Sequence, residues 1–279
     1  MHPQLHRIDL DQPGLEGYRR FISCWLSRGQ GPTCVVDPGP ANTLPVLRER
    51  LAGLGVDRLD YVLLTHIHLD HGGGTAALLD AFPDARVVSH RKATGHLRDP
   101  GRLWEGSRHV LGELADRYGE PAPIAPERLA DYDQLARDGI DVIETPGHAP
   151  HHVCFRQGDT LFVGEAAGTF LALDGGAWYL RPATPPRFVL DVAVASLDRL
   201  LALDPLPGRL AFAHGEQHGL GAALVQDGSW SPAAMAASVP AFFMTFNLLF
   251  LNEFPDEQAD RDGGRRNIVL LLGRRRAAL

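Results

Sequence analysis

Four side chains able to ligate a metal fall within residues 66–71: His66, His68, Asp70 and His71, in Thr65-His66-Ile67-His68-Leu69-Asp70-His71. Imidazole nitrogens and carboxylate oxygens are the donors that zinc and similar borderline divalent cations accept. Residues two apart on an extended segment point to the same side, so His66 and His68 can hold one ion together. Asp70 and His71 follow as the chain turns and can reach a second ion beside it. An apolar run, Tyr61-Val62-Leu63-Leu64, precedes the cluster, and Gly72-Gly73-Gly74 and a helix-like stretch, 75–82, follow it. That context is a strand end, a ligand-bearing turn and a helix start, with glycines that let the backbone approach the ions. A polar loop of locally bonded histidines is the alternative, and the spacing disfavours it. Isolated histidines such as His2, His6 and His109 read as surface residues.

The H-x-H-x-D-H pattern resembles the signature of the metallo-β-lactamase-fold hydrolases, and the resemblance covers about residues 18–220. It implies an α/β fold, a four-layer αββα sandwich, and further ligands at later strand ends. Thr145-Pro146-Gly147-His148-Ala149-Pro150-His151-His152 resembles the family's T-P-G-H-T-x-G-H segment, whose first histidine is a ligand. Glu165, after Thr160-Leu161-Phe162-Val163-Gly164, stands where the family usually places a bridging Asp, and His214 ends a short apolar run, 209–213. Carried over by position, His66, His68 and His148 hold one metal, and Asp70, His71 and His214 the other. Glu165 either bridges the two or, with its longer arm, binds one ion only. The cofactors expected are two divalent ions, zinc first, with iron or manganese as alternatives. His152 matches a family histidine packed behind the site; His151 stands where glycine is usual and has no assigned role. His90, after a strand-like run, lines the pocket or caps a strand.

The chain has 279 residues, enough for one large core with an appendage. The expected division is a catalytic domain over 1–222 and a mostly helical extension over 223–279, rich in Phe and Leu, that packs on the domain or forms a homodimer surface. The formal net charge is −7, with no sustained basic run except the Arg-rich tail, which argues against a nucleic-acid partner. The partner expected is a small-molecule substrate. Cys24, Cys34 and Cys154, an odd count with no close spacing, do not suggest a disulfide framework and read as buried apolar residues of a cytoplasmic protein. The first ten residues lack a signal-peptide pattern, and the longest apolar stretch, 241–251, is too short to span a bilayer, so no membrane association is expected.

The elements that would position the ligands alternate between strand and helix. Residues 19–27 and 33–37 read as a hairpin, and Asp37-Pro38-Gly39-Pro40 as a loop bordering the site. Asn42 reads as the N-cap of a helix through Leu51. Further helices are expected over 103–118 and 187–203, and a second hairpin over 153–163.

A divalent metal lowers the pKa of bound water toward about 7. The resulting hydroxide would attack a carbonyl or phosphorus centre, oriented by Asp70 as the catalytic carboxylate, while the metal stabilises the oxyanion. In the loop after Glu165, Tyr179 is the candidate hydrogen-bond donor to substrate and Arg181 the candidate partner for a substrate carboxylate. The Arg181-Pro182-Ala183-Thr184-Pro185-Pro186 stretch resembles a lactonase- and glyoxalase II-like branch of the superfamily and points to esters, lactones or thioesters. A phosphodiesterase on the same fold and a mononuclear iron dioxygenase of thiol persulfides are the competing classes.

Overall fold

The computed structural model describes residues 4–29, 31–172, 178–183, 188–214 and 217–219. Residues Met1–Ala223 group as one compact unit. The extension expected over 223–279 lies outside the described residues.

Two five-stranded sheets carry the architecture. The first runs β1 (Gln4–Leu10), β2 (Ile22–Arg28), β3 (Cys34–Val36), β4 (Tyr61–Leu63) and β5 (Arg86–Val88) in that spatial order. The second has the order β12-β11-β8-β7-β6, from β6 (Ile140–Glu144), β7 (Val153–Gln157), β8 (Thr160–Gly164), β11 (Arg209–Phe212) and β12 (Gln217–Gly219). A separate two-stranded ribbon pairs β9 (Thr169–Ala172) with β10 (Trp178–Arg181). The helices are α1 (Leu44–Gly53), α2 (Leu69–Gly72), α3 (Thr75–Ala81), α4 (Thr94–Arg98), α5 (Gly101–Leu111), α6 (Glu113–Tyr118), α7 (Tyr132–Arg137) and α8 (Leu190–Leu201).

The layering follows from strand alternation. On β3, Cys34 and Val36 face the second sheet and pack with Phe155, Phe162 and Ala211, while Val35 faces outward onto Leu47 and Leu51 of α1. The second sheet repeats this: Phe155 points inward, whereas Cys154, Leu161 and Val163 face Leu200 of α8. Helix, sheet, sheet, helix is thus the layer order, as expected. Short cross-sheet bonds fix the two sheets' register: Trp25 Nε1 donates to Phe212 O at 2.8 Å, and Val153 N to Thr65 O at 2.8 Å.

Strand direction places the ligands. β6 and β8 are each antiparallel to β7, and β8 is parallel to β11, so all three end at one edge of their sheet. His148, Glu165 and His214 follow those ends, and His66 follows β4 at the facing sheet's edge.

Three local readings need correction. Asn42 does not cap α1; it sits in a 3-10 turn, and its Nδ2 donates to Arg117 O at 2.6 Å, while Thr43 takes the cap position and Pro45 lies in the first turn. The helix expected over 103–118 is two helices, broken at Gly112 with φ of 58°. β1 is a seven-residue strand paired along its whole length with β2, where no element was expected. The hairpins formed by β2 with β3 and by β7 with β8 agree with the sequence reading. The three cysteines are free and buried. No helix of the described residues is long and apolar enough to cross a membrane.

Candidate metal centre

The expected ligands converge as two adjoining donor sets: His66, His68, His148 and Glu165, and Asp70, His71 and His214, with the donor atoms of each set within 4.8 Å of one another. In the first set His68 Nδ1 lies 2.9 Å from His66 Nε2 and 3.1 Å from His148 Nε2. Glu165 Oε2 lies 2.9 Å from His148 Nε2 and 3.4 Å from His66 Nε2. A tetrahedral ion with bonds of 2.0–2.1 Å separates its ligands by about 3.3 Å, close to these spacings. In the second set Asp70 Oδ2 is 3.6 Å from both His71 Nε2 and His214 Nε2.

Hydrogen bonds on the far side of each ring fix which nitrogen faces inward. His148 Nδ1 donates to Ala183 O at 2.9 Å, and His214 Nδ1 to Phe21 O at 2.6 Å. His71 Nδ1 donates to Asp37 Oδ2 at 3.1 Å. The Thr65 hydroxyl gives its proton to Asp37 Oδ2 at 2.6 Å, which leaves Thr65 Oγ1 to accept from His66 Nδ1 at 3.2 Å. Each of these four rings, when neutral, therefore aims an Nε2 lone pair at the centre, the arrangement that tethered metal-binding histidines adopt. Facing lone pairs repel unless a cation lies among them. Among the described residues His71 Nε2 is a buried atom with no hydrogen-bond partner, as expected of a ligand atom. The donor set thus fits divalent metal.

The electrostatics agree. Burial holds His66 well below the ordinary imidazole range and pushes His68 down to about 4, which keeps both neutral and able to ligate. Burial opposes charge on His71 and His214 too, yet the carboxylates around them raise both. Burial also works against ionised Asp70, but His71 and His214 outweigh it and bring the carboxyl to about 2. The centre draws in positive charge, which protons or divalent cations can supply.

Glu165 reaches both sets. Oε2 is also 3.4 Å from His71 Nε2, and Oε1 is 3.8 Å from His214 Nε2. Gly164 takes φ of +53°, and a Cβ there would lie 2.6 Å from Thr65 Oγ1 and 2.7 Å from His152 Nε2. His152 Nε2 accepts from Glu165 N at 3.1 Å, so its Nδ1 donates to Thr145 Oγ1 at 2.8 Å. His152 lies behind the site and anchors the backbone from which Glu165 reaches inward.

His90 caps a short 3-10 turn, accepting from Lys92 N at 3.0 Å, and sits 3.3 Å from Glu144 Oε1. The His151 ring is T-shaped to His68 at 6.0 Å. Tyr179 and Arg181 lie on β10 opposite Leu171 and Thr169, and their side chains lie outside the described ones. β9 is tied to the centre through Phe170 N, which donates to His214 O at 3.1 Å. Sequence reasoning missed Asp37, buried and placed between Thr65 and His71; its only signal was the Asp37-Pro38-Gly39-Pro40 turn.

The family model of the metallo-beta-lactamase superfamily matches residues 17–214, a span that contains every candidate ligand. The metallo-beta-lactamase fold-containing protein ST1585 of Sulfurisphaera tokodaii is 31% identical over 207 residues, 71% of this chain and 74% of that protein. The crystal structure of ST1585 from Sulfolobus tokodaii superposes with a TM-score of 0.61 at 26% identity, covering 77% of this chain and 81% of that one. A hydroxyacylglutathione hydrolase of Aeromonas salmonicida is 36% identical over 181 residues, 64% of this chain, and the match spans 56% of that enzyme's length. TTHA1623 in a di-iron-bound form superposes with a TM-score of 0.52 at 28% identity, covering 74% of this chain and 93% of that one.

Proposed function

The chain belongs to the metallo-beta-lactamase superfamily, and from that premise we propose that it is a metal-dependent hydrolase of a carboxylic ester, lactone or thioester. The observation that carries the proposal is the convergence of five imidazole nitrogens and two carboxylates, with Nδ1 tethers turning four of the rings inward. His66, His68 and His148 would hold one ion, Asp70, His71 and His214 a second, and Glu165 would be shared. Divalent ions in these places would supply Lewis acidity to a substrate oxygen and a nucleophile at neutral pH.

The residues contribute the rest. Asp70 is ionised at neutral pH and turns Oδ2 toward His71 and His214, which leaves Oδ1 to accept a proton. Asp37 and Thr65 hold His71 and His66 in the tautomers that ligation needs. Tyr179 as substrate donor and Arg181 as carboxylate partner belong to the same proposal, on a ribbon whose first strand is hydrogen-bonded to His214. The similarity to hydroxyacylglutathione hydrolase favours thioesters among the substrates. Zinc is the proposed metal; the di-iron form of TTHA1623 makes iron the competing occupant.

The test is turnover of a panel of thioesters, lactones and aryl esters by zinc-loaded protein and by His66→Ala and His68→Ala variants. Hydrolysis that both variants lose supports the reading. Full activity in both would contradict it.

A further inference from the structure

The outer side of α8 carries more apolar surface than a solvent-facing helix needs. Among the described residues, seven of the ten exposed large apolar side chains lie between residues 189 and 206, at exposures of 38–55%. Four of them, Leu190, Val194, Leu197 and Leu201, recur at intervals of four, three and four residues. At 3.6 residues per turn they fall within an arc of about 60°. Val189 and Leu206 lie exposed beyond the two ends of the helix.

This stripe is not the core face of the helix. Ala193, Ser196 and Leu200 are the buried residues of α8, and their arc lies about 100° around the helix from the stripe. The inner face is fully used. Leu200 clusters with Cys154, Leu161 and Val163, Ser196 Oγ donates to Pro146 O at 2.6 Å, and Val189 N donates to Gly147 O at 3.0 Å. Gly147 lies so close that a Cβ there would meet Ala193 Cα at 2.6 Å. These contacts fix α8 to the turn that presents His148, and the outer stripe takes no part in them.

Apolar residues at intervals of four and three form the seam by which one helix packs on another. An exposed apolar patch of several hundred Å² marks an interaction site on a monomer. The stripe is also symmetric. A leucine stands at each end, Val194 and Leu197 lie between, and the midpoint falls between Ala195 and Ser196. A two-fold axis at that point sets residue 190 against 201, and 194 against 197, of an antiparallel second helix, the self-complementary arrangement of two-fold dimers. Counted over both copies with a polar rim, the stripe reaches the roughly 1,000 Å² that a specific interface needs. Asp191 and Asp198 are exposed and flank the stripe on the side away from the core face. Antiparallel pairing puts Asp191 of one copy beside Asp198 of the other, a like-charge contact at the rim that is small beside the apolar burial.

We propose that α8 is the contact surface of a homodimer in which the apolar stripes of two copies pack antiparallel. Sedimentation velocity of the full chain over a dilution series tests it. The parent should sediment as a dimer at micromolar concentration. Val194→Glu and Leu197→Glu should each weaken the dimer by about a hundredfold or more, because each substitution enters the interface twice. Both positions are exposed on the helix, so circular dichroism and metal content of the variants should match the parent's. Asp198→Asn should tighten the dimer by about two- to fivefold, since it removes the like-charge contact. A parent that stays monomeric would overturn the proposal and leave the stripe to another occupant. A dimer that persists unchanged in both glutamate variants would overturn it too. A dimer that Asp198→Asn leaves no tighter would overturn the antiparallel register.

Discussion

Replacing Asp37 by asparagine should weaken metal binding at a position that touches no metal. The Asp37 carboxylate accepts from Thr65 N at 2.8 Å through Oδ1, and from Thr65 Oγ1 at 2.6 Å and His71 Nδ1 at 3.1 Å through Oδ2. Asparagine conserves volume and tolerates the local φ of 49°, so the backbone has no reason to move. With the amide oxygen kept on Thr65 N, the NH2 group faces His71 Nδ1. Donor then meets donor, and His71 must shift its proton to Nε2, the atom aimed at Asp70 and Glu165. Loss of such an orienting partner costs about 10–100-fold in metal affinity. The lost charge-assisted bond should lower the stability of the metal-free protein by about 2 kcal/mol. Competition against a chromophoric chelator reads the first effect, and urea unfolding of the stripped protein the second. Both ions should weaken, because the same NH2 group also faces Thr65 Oγ1 and turns its hydroxyl proton toward His66 Nδ1. Affinities for both ions within twofold of the parent would refute the tautomer argument.

Other substitutions and conditions extend the reasoning. Glu165→Asp shortens the arm by about 1.5 Å, one C–C bond, and should lower metal stoichiometry measured after gel filtration, because the backbone is held back by His152 and Gly164. Gly164→Ala should destabilise the fold by about 2–4 kcal/mol, combining a left-handed φ with contacts under 3 Å, and a urea midpoint equal to the parent's would contradict this. For the metal-stripped protein, stability should peak near pH 6.5, the ordinary imidazole value. His66, His68 and His152 sit below that value when folded, so their burial costs stability increasingly as pH falls from about 6.5 toward 4. His71 and His214 sit above it, so their contribution is complete below about 6.5 and is lost as pH rises through their folded values. Thermal melts across pH 4.5–8.5 should show the maximum, and a steady rise through pH 8.5 would count against it.

The candidate ligands were legible because His66, His68, Asp70 and His71 share one histidine-rich turn after an apolar run, and His148, Glu165 and His214 stand at strand ends in segments that resemble the family's. Strands β2, β3, β7 and β8 run apolar and were legible locally, whereas the sandwich came from the family resemblance that the ligand motifs carry. What the sequence hid was long-range. Asp37 acts on His71 across 34 positions, and nothing near either residue announces the pairing. Asn42 is a good N-cap residue by type, but Arg117 O, 75 residues away, takes its side chain. The helix break shows the limit of residue type alone. Gly106 lies inside α5 without interrupting it, whereas Gly112 turns left-handed and ends it. An isolated glycine costs a helix only about 1 kcal/mol, so packing of Ala115 and Tyr118 against Leu69 can decide between the two outcomes.

Metal equivalents per chain measure the central claim most directly. The protein should be stripped, reconstituted with zinc, desalted and assayed by plasma mass spectrometry. The two donor sets predict two equivalents, with loss of the first-set ion in His66→Ala and of the second in His214→Ala. Retention of no zinc by the parent protein would contradict the account.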